Sequence, residues 1–139
     1  MSGRCDTMAE VIRFIKKADS RGLCFGGWPE SILEIYLQWH HQNGGLVIVK
    51  EGRDVVALAV GTKLHESDLD KHWVPWRENG DSMYLADIVA SKKQAVAACL
   101  NELSAKCPNW KELKLFANRH GKRHQFRPEA IERMIEAWS

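Results

Sequence analysis

Trp76–Phe126 reads WRENGDSMYLADIVASKKQAVAACLNELSAKCPNWKELKLFANRHGKRHQF, and this stretch decides the fold. Tyr84–Ala90 is an apolar, β-prone run interrupted only by Asp87. Lys92–Lys106 then changes period, spacing Val96, Leu100 and Leu103 along one helical face, and Pro108 stops it. Glu112–Ala117 returns to a strand pattern, and Lys122–Phe126 adds a short fifth strand after a basic turn. A strand, a helical crossover and a second strand form one supersecondary unit, with a carboxylate inside the first strand. Asp87 is the residue that demands an explanation.

Upstream, Leu46–Lys50 and Val55–Gly61 are β-rich runs separated by Glu51-Gly52-Arg53-Asp54, the pattern of a hairpin. Two helices precede them. Thr7 and Glu10 have the spacing of a capping box ahead of Met8, Val11, Ile12 and Ile15. Gly22 and Gly26-Gly27 break that helix. Pro29 opens the next, which places Ile32, Ile35, Tyr36 and Trp39 on one face and stops at Asn43-Gly44-Gly45. Lys63–Ser82 is a long polar connection carrying Trp73, Pro75 and Trp76, and connections of that length are often lids or binding loops. Pro128–Trp138 closes the chain as a helix with Ile131, Met134, Ile135 and Trp138 on one face. The expected order is ααβββαβ(β)α, an α+β class with a mainly antiparallel sheet and helices on both faces.

The 139 residues suit one domain, 1–139, with a core of its own. A net charge of +2 gives no general attraction for nucleic acid. Arg119, Lys122, Arg123 and Arg127 nevertheless concentrate positive charge locally, but Phe126 is the only aromatic in that run, so single-strand stacking has little support and nucleic acid is not the expected partner. The four cysteines, at 5, 24, 99 and 107, show neither C-x-x-C spacing nor a neighbouring histidine, which argues against a metal and for reduced thiols in a cytoplasmic protein. No apolar run reaches the ~20 residues of a membrane helix.

Within this pattern, the strand after the hairpin (Val55–Gly61), the W…G-D element (Trp76, Gly80, Asp81), the Asp87 strand with Ala90, and Arg119 before Gly121-Lys122 and Phe126 resemble the GNAT acyltransferase fold without its usual first strand. The nearest likeness within it is to the RTX toxin-activating lysine acyltransferases, across Asp54–Phe126, about half the chain. The resemblance implies an acyl group moved from acyl-CoA or acyl carrier protein to a protein or small amine, with no metal and with an aspartate and a histidine in catalysis. Asp87 falls where that aspartate belongs. Arg21–Trp28, where the histidine is expected, holds Cys24 and no histidine, so His40 and His41 become the catalytic candidates. The turn Ala90–Ala95 lacks the glycines that let backbone N–H groups cradle a pyrophosphate, leaving Lys92, Lys93, Arg119 and Lys122 as the expected cofactor-binding cations.

Each of these residues carries a plainer reading as well. Asp87 shares a face with Leu85 and Val89 if strict alternation holds, and is then either a general base of raised pKa or a structural partner of an arginine or backbone N–H. His40 and His41 also suit the C-terminal end of a helix dipole. His65 and His72 flank the acidic connection without the spacing of a metal motif. Trp39 and Trp138 fit a core, while Trp73 and Trp76 fit a binding surface. Cys24 reads as a plain buried thiol beside a glycine-rich turn. The competing class is a non-catalytic structural or interaction module of the same fold, such as a phage particle uses.

Overall fold

The computed structural model describes residues 3–19, 25–71, 73–119 and 121–139, with the backbone alone over residues 3–7. Four helices and one five-stranded sheet follow in the order α1 (Gly3–Ala18), α2 (Glu30–Gln42), β1 (Leu46–Glu51), β2 (Asp54–Leu64), β3 (Ser82–Ala90), α3 (Lys93–Lys106), β4 (Lys114–Arg119), β5 (Lys122–Phe126) and α4 (Pro128–Trp138). Strand order in space equals order in the chain. Every neighbouring pair is antiparallel except β3 and β4, which run parallel. A parallel pair cannot be joined by a tight turn, and α3 supplies the crossover. The fold is α+β, as the periodicity predicts.

β2 is the hub. Glu51 pairs with Asp54 across a tight turn at Gly52, whose φ of +63° favours glycine. From Ala57 to Leu64 every residue of β2 is buried, because helices cover both faces. Leu58 and Val60 point to one side and join Val11, Ile15, Leu33 and Leu37 of α1 and α2, with Val89 of β3. Ala57 and Ala59 point to the other and meet Val47 with Ala95, Cys99 and Leu103 of α3. Each fully buried Leu, Ile or Val on these faces contributes ~1.5–3 kcal/mol. α4 lies outside α3 and has no fully buried residue; Trp138 is half-buried beneath the Lys93 ammonium, 5.7 Å from the ring centroid, and not a core residue.

Two details of the helices differ from the expected ones. α1 already runs through Thr7, so that residue lies inside the helix and does not cap it. α2 buries Leu33, Tyr36, Leu37 and His40, while Ile32 and Ile35 are 45% and 56% exposed. The sequence 32–40 fits two apolar stripes offset by one residue, both including Tyr36, and a 3.6-residue period alone does not choose between them. Packing on Leu58 and Phe25 selects the Leu33–Leu37 stripe.

The decisive irregularity is in β3. Asp87 pairs with Val60 but Leu85 pairs with Gly61, so Ala86 is an extra residue, a β-bulge. Alternation is interrupted there: Ala86 and Val89 pack toward α1 and α2, whereas Leu85 and Ile88 pack toward α3. Leu85 therefore does not share the Asp87 face, contrary to strict alternation. Next to the bulge, the parallel ladder with β4 stops at Leu85–Ala117, although β3 continues to Ala90 and β4 to Arg119.

Candidate functional site

The bulge and the end of the parallel ladder frame a cleft of about 340 Å³ with Asp87 in its wall. The volume lies at the low end of the ~300–1,000 Å³ typical of small-molecule sites. The Tyr36 hydroxyl donates to Asp87 Oδ2 at 2.7 Å. Burial pushes the Asp87 carboxyl up to about 6; the Tyr36 hydrogen bond opposes this, and the charge of Asp19 adds to it. Among the described residues no Arg or Lys pairs with Asp87, so the expected alternative of a structural ion pair has no partner there.

His40 lines the same cleft, one helical turn beyond Tyr36 and 4.6 Å from it between ring centroids. Burial lowers its pKa to about 4, which keeps the ring neutral at physiological pH. Its buried Nδ1 has no hydrogen-bond partner among the described residues. Gly45 makes room for it, since a Cβ at that position would lie 3.2 Å from Nδ1. His41, one residue on, is exposed and lines neither cavity described here.

Aromatic rings enclose the opening. Trp28 stands 5.2 Å from Tyr36 at 72°, and Trp73 stands 5.7 Å from it at 60°. Trp73 also packs on Trp39 at 5.7 Å and has a positive φ of 53°, a rare backbone for a bulky side chain. The loop that bears it is held at both ends. Asp68 is buried and accepts from His65 N, Lys71 Nζ and Arg77 Nε at 2.8–3.1 Å; the Lys71 bond leads the interactions that pull its pKa down to about 2. Asp81 accepts from Glu66 N and Ser82 Oγ. Gly80 lies so close to the Leu64 backbone that a Cβ would sit 2.5 Å from its carbonyl oxygen. Lys114–Glu66 and Arg123–Asp70 tie the loop to β4 and β5.

A second, apolar cavity of about 80 Å³ lies on the α3 side, walled by Leu85, Leu100, Leu103, Trp110, Phe116 and Phe126 among others. Gly61 and Tyr84 line both cavities, which makes them the partition between the two faces.

The structure thus brings Asp87 and His40 to one cleft and leaves His41 outside it. The four expected phosphate-binding cations line neither cavity. Lys92 is paired with Glu51 at 2.8 Å, Lys93 sits over Trp138, and Arg119 and Lys122 face each other as an exposed pair across the β4–β5 turn. Trp73 lines the cleft as expected of a binding surface; Trp76 instead packs beneath Lys106, whose ammonium is 5.0 Å from the ring. Cys24, His72 and His120 lie outside the described residues. Sequence reasoning missed Tyr36 and Trp28 as site residues. The signal for Tyr36 was a phenol on a buried helix stripe, where a hydroxyl needs a partner. No helix among the described residues is long and apolar enough to cross a membrane. Neither a protein-family model nor a curated protein matches the chain.

Proposed function

We propose that the protein is a GNAT-like acyltransferase, related in layout to the RTX toxin-activating enzymes, that moves an acyl group from acyl-CoA or acyl carrier protein to an amine. The observation that carries this reading is a carboxylate of near-neutral pKa, Asp87, in a cleft at the point where two parallel strands stop pairing. Such a pKa suits a general base at physiological pH. The amine nitrogen attacks the thioester carbonyl and Asp87 takes the amine proton; the tetrahedral adduct then expels the donor's sulfur as a thiolate, which takes up a proton to leave as free thiol. Tyr36 holds the carboxylate in place. In this reading, donors near the bulge of the sheet stabilise the developing oxyanion. The neutral His40 adds a second group able to exchange a proton in the same cleft.

The test is incubation with acetyl-CoA, long-chain acyl-CoA and acylated carrier protein beside a panel of amines, with thiol release as the readout. Asp87→Asn is expected to abolish transfer and to keep the fold and donor affinity. Absence of thiol release from all three donors overturns the reading. A second reading, a non-catalytic interaction module, is favoured by the cations: Lys92, Lys93, Arg119 and Lys122 line neither cavity. If they nonetheless meet donor phosphates, replacing Arg119 and Lys122 together by Ala weakens donor binding and flattens its salt dependence. Unchanged donor binding in that variant removes the phosphate role.

A further inference from the structure

Outside the Asp87 chemistry, the cleft has a feature that general acid–base catalysis does not use: its rings. Tyr36 forms a floor from which Trp28 and Trp73 rise at 72° and 60°, with centroids 5.2 and 5.7 Å from it. Both indoles remain accessible, at 37% and 38% exposure, although large aromatic side chains ordinarily bury themselves. The floor is fixed from below by Phe25, 5.9 Å away and edge-on, and at its hydroxyl by Asp87. Two accessible indoles and a carboxylate around a concave space have the composition that attracts a cation, because the indole faces carry negative charge density; Tyr36, only 4% exposed, backs them.

We propose that this cleft holds an N-alkylated ammonium group, the chemistry shared by choline-like quaternary ammoniums and methylated lysine side chains. The choice of an alkylated head follows from the indoles, whose faces offer a cation no hydrogen-bond acceptor. Of the carboxylates lining the cleft, Asp68 is held by both Lys71 and Arg77, whereas Asp70 and Asp87 are held through one oxygen each, by Arg123 and by Tyr36. A diffuse, weakly hydrated cation rests on the π-faces, and Asp87 supplies charge beside it rather than a hydrogen bond. The inference concerns binding alone, since a quaternary nitrogen has no proton to lose and is not a substrate for acyl transfer.

The experiment titrates the full chain with choline and with 3,3-dimethylbutan-1-ol, its neutral isostere, followed by tryptophan fluorescence and calorimetry. Choline is expected to bind at least about tenfold tighter than the isostere, the factor a desolvated cation–π contact supplies. Trp73→Ala and Trp28→Ala are each expected to erase most of that preference, with circular dichroism confirming that each variant folds. A peptide carrying trimethyl-lysine, beside its unmethylated control, distinguishes a protein-borne ligand from a free one by which probe binds tighter. Equal affinity for choline and its isostere overturns the proposal, as does the lack of saturable choline binding or full retention of it in a folded Trp73→Ala variant. Failure of acyl transfer leaves the choline result unaffected, so the two proposals fail separately.

Discussion

Asp87→Asn tests the electrostatics of the cleft without any ligand. Burial raises Asp87 from 3.8 to about 6 and lowers His40 from 6.5 to about 4, so the two groups act on stability with opposite signs over nearly the same pH range. Between the two Asp87 values the folded protein binds the proton more tightly than the unfolded chain. The ionised, buried carboxylate therefore destabilises the fold, fully above about pH 6 and not at all below about pH 4. For His40 the unfolded chain holds the proton more tightly, so stability is complete above its unfolded value and is lost as pH falls toward about 4. A carboxyl raised from 3.8 to about 6 and an imidazole lowered from 6.5 to about 4 are each worth ~3 kcal/mol. In the native protein the two slopes largely cancel. Asparagine keeps an acceptor for the Tyr36 hydroxyl and removes the charge, so the variant should exceed the native protein by up to ~3 kcal/mol near pH 8 and match it near pH 4. It should also lose stability on acidification more steeply, because the His40 slope is then unmasked. Urea unfolding followed by tryptophan fluorescence across that range reads both effects. A variant no more stable than the native protein at pH 8, or a gap that stays constant with pH, refutes the assignment of a partly buried carboxylate with no Lys or Arg partner among the described residues.

Tyr36→Phe removes the hydrogen bond that lowers the Asp87 pKa, so NMR titration of the carboxyl should find it displaced upward from about 6. Gly80→Ala forces a Cβ against the Leu64 backbone and should cost ~1–3 kcal/mol, the usual penalty of overpacking, seen as a lower urea midpoint. Leu103→Ala opens space between α3 and the sheet and should cost ~2–5 kcal/mol by the same assay. Asp68→Asn weakens the anchor of the Trp73 loop, and limited proteolysis should then cut within residues 65–81 faster than in the native protein.

Most of the fold was legible because it is periodic. The hairpin at Gly52, the apolar β2 run, the crossover helix and the closing helix each follow from a two- or 3.6-residue spacing and a turn residue at the right place. Legibility ended where a period admits two solutions. Residues 32–40 carry two overlapping stripes, and the unselected one leaves Ile32 and Ile35 in solvent. For the site, Asp87 was visible as a carboxylate in an apolar run, and His40 as one of two adjacent histidines. Choosing His40 over His41 needed the helix rotation, which tertiary packing sets. Tyr36 and Trp28 converge with Trp73 from segments distant in the chain, and that is a property of the assembled layers.

The extra residue at Ala86 gives β3 two reading frames, one on either side of it. Tyr84 and Asp87 are an odd number of positions apart, yet both line the same cleft, which a regular strand forbids. Loss of Ala86 alone would merge the frames without redirecting a single neighbouring side chain, because Leu85 and Asp87 would then alternate normally against Gly61 and Val60. Loss of Ile88 would instead invert one flank and turn either Asp87 or Val89 toward α3. The chemistry of this strand therefore tolerates a change of length at one position and forbids it at the next, and an alignment of β3 with any other chain has its natural gap at Ala86.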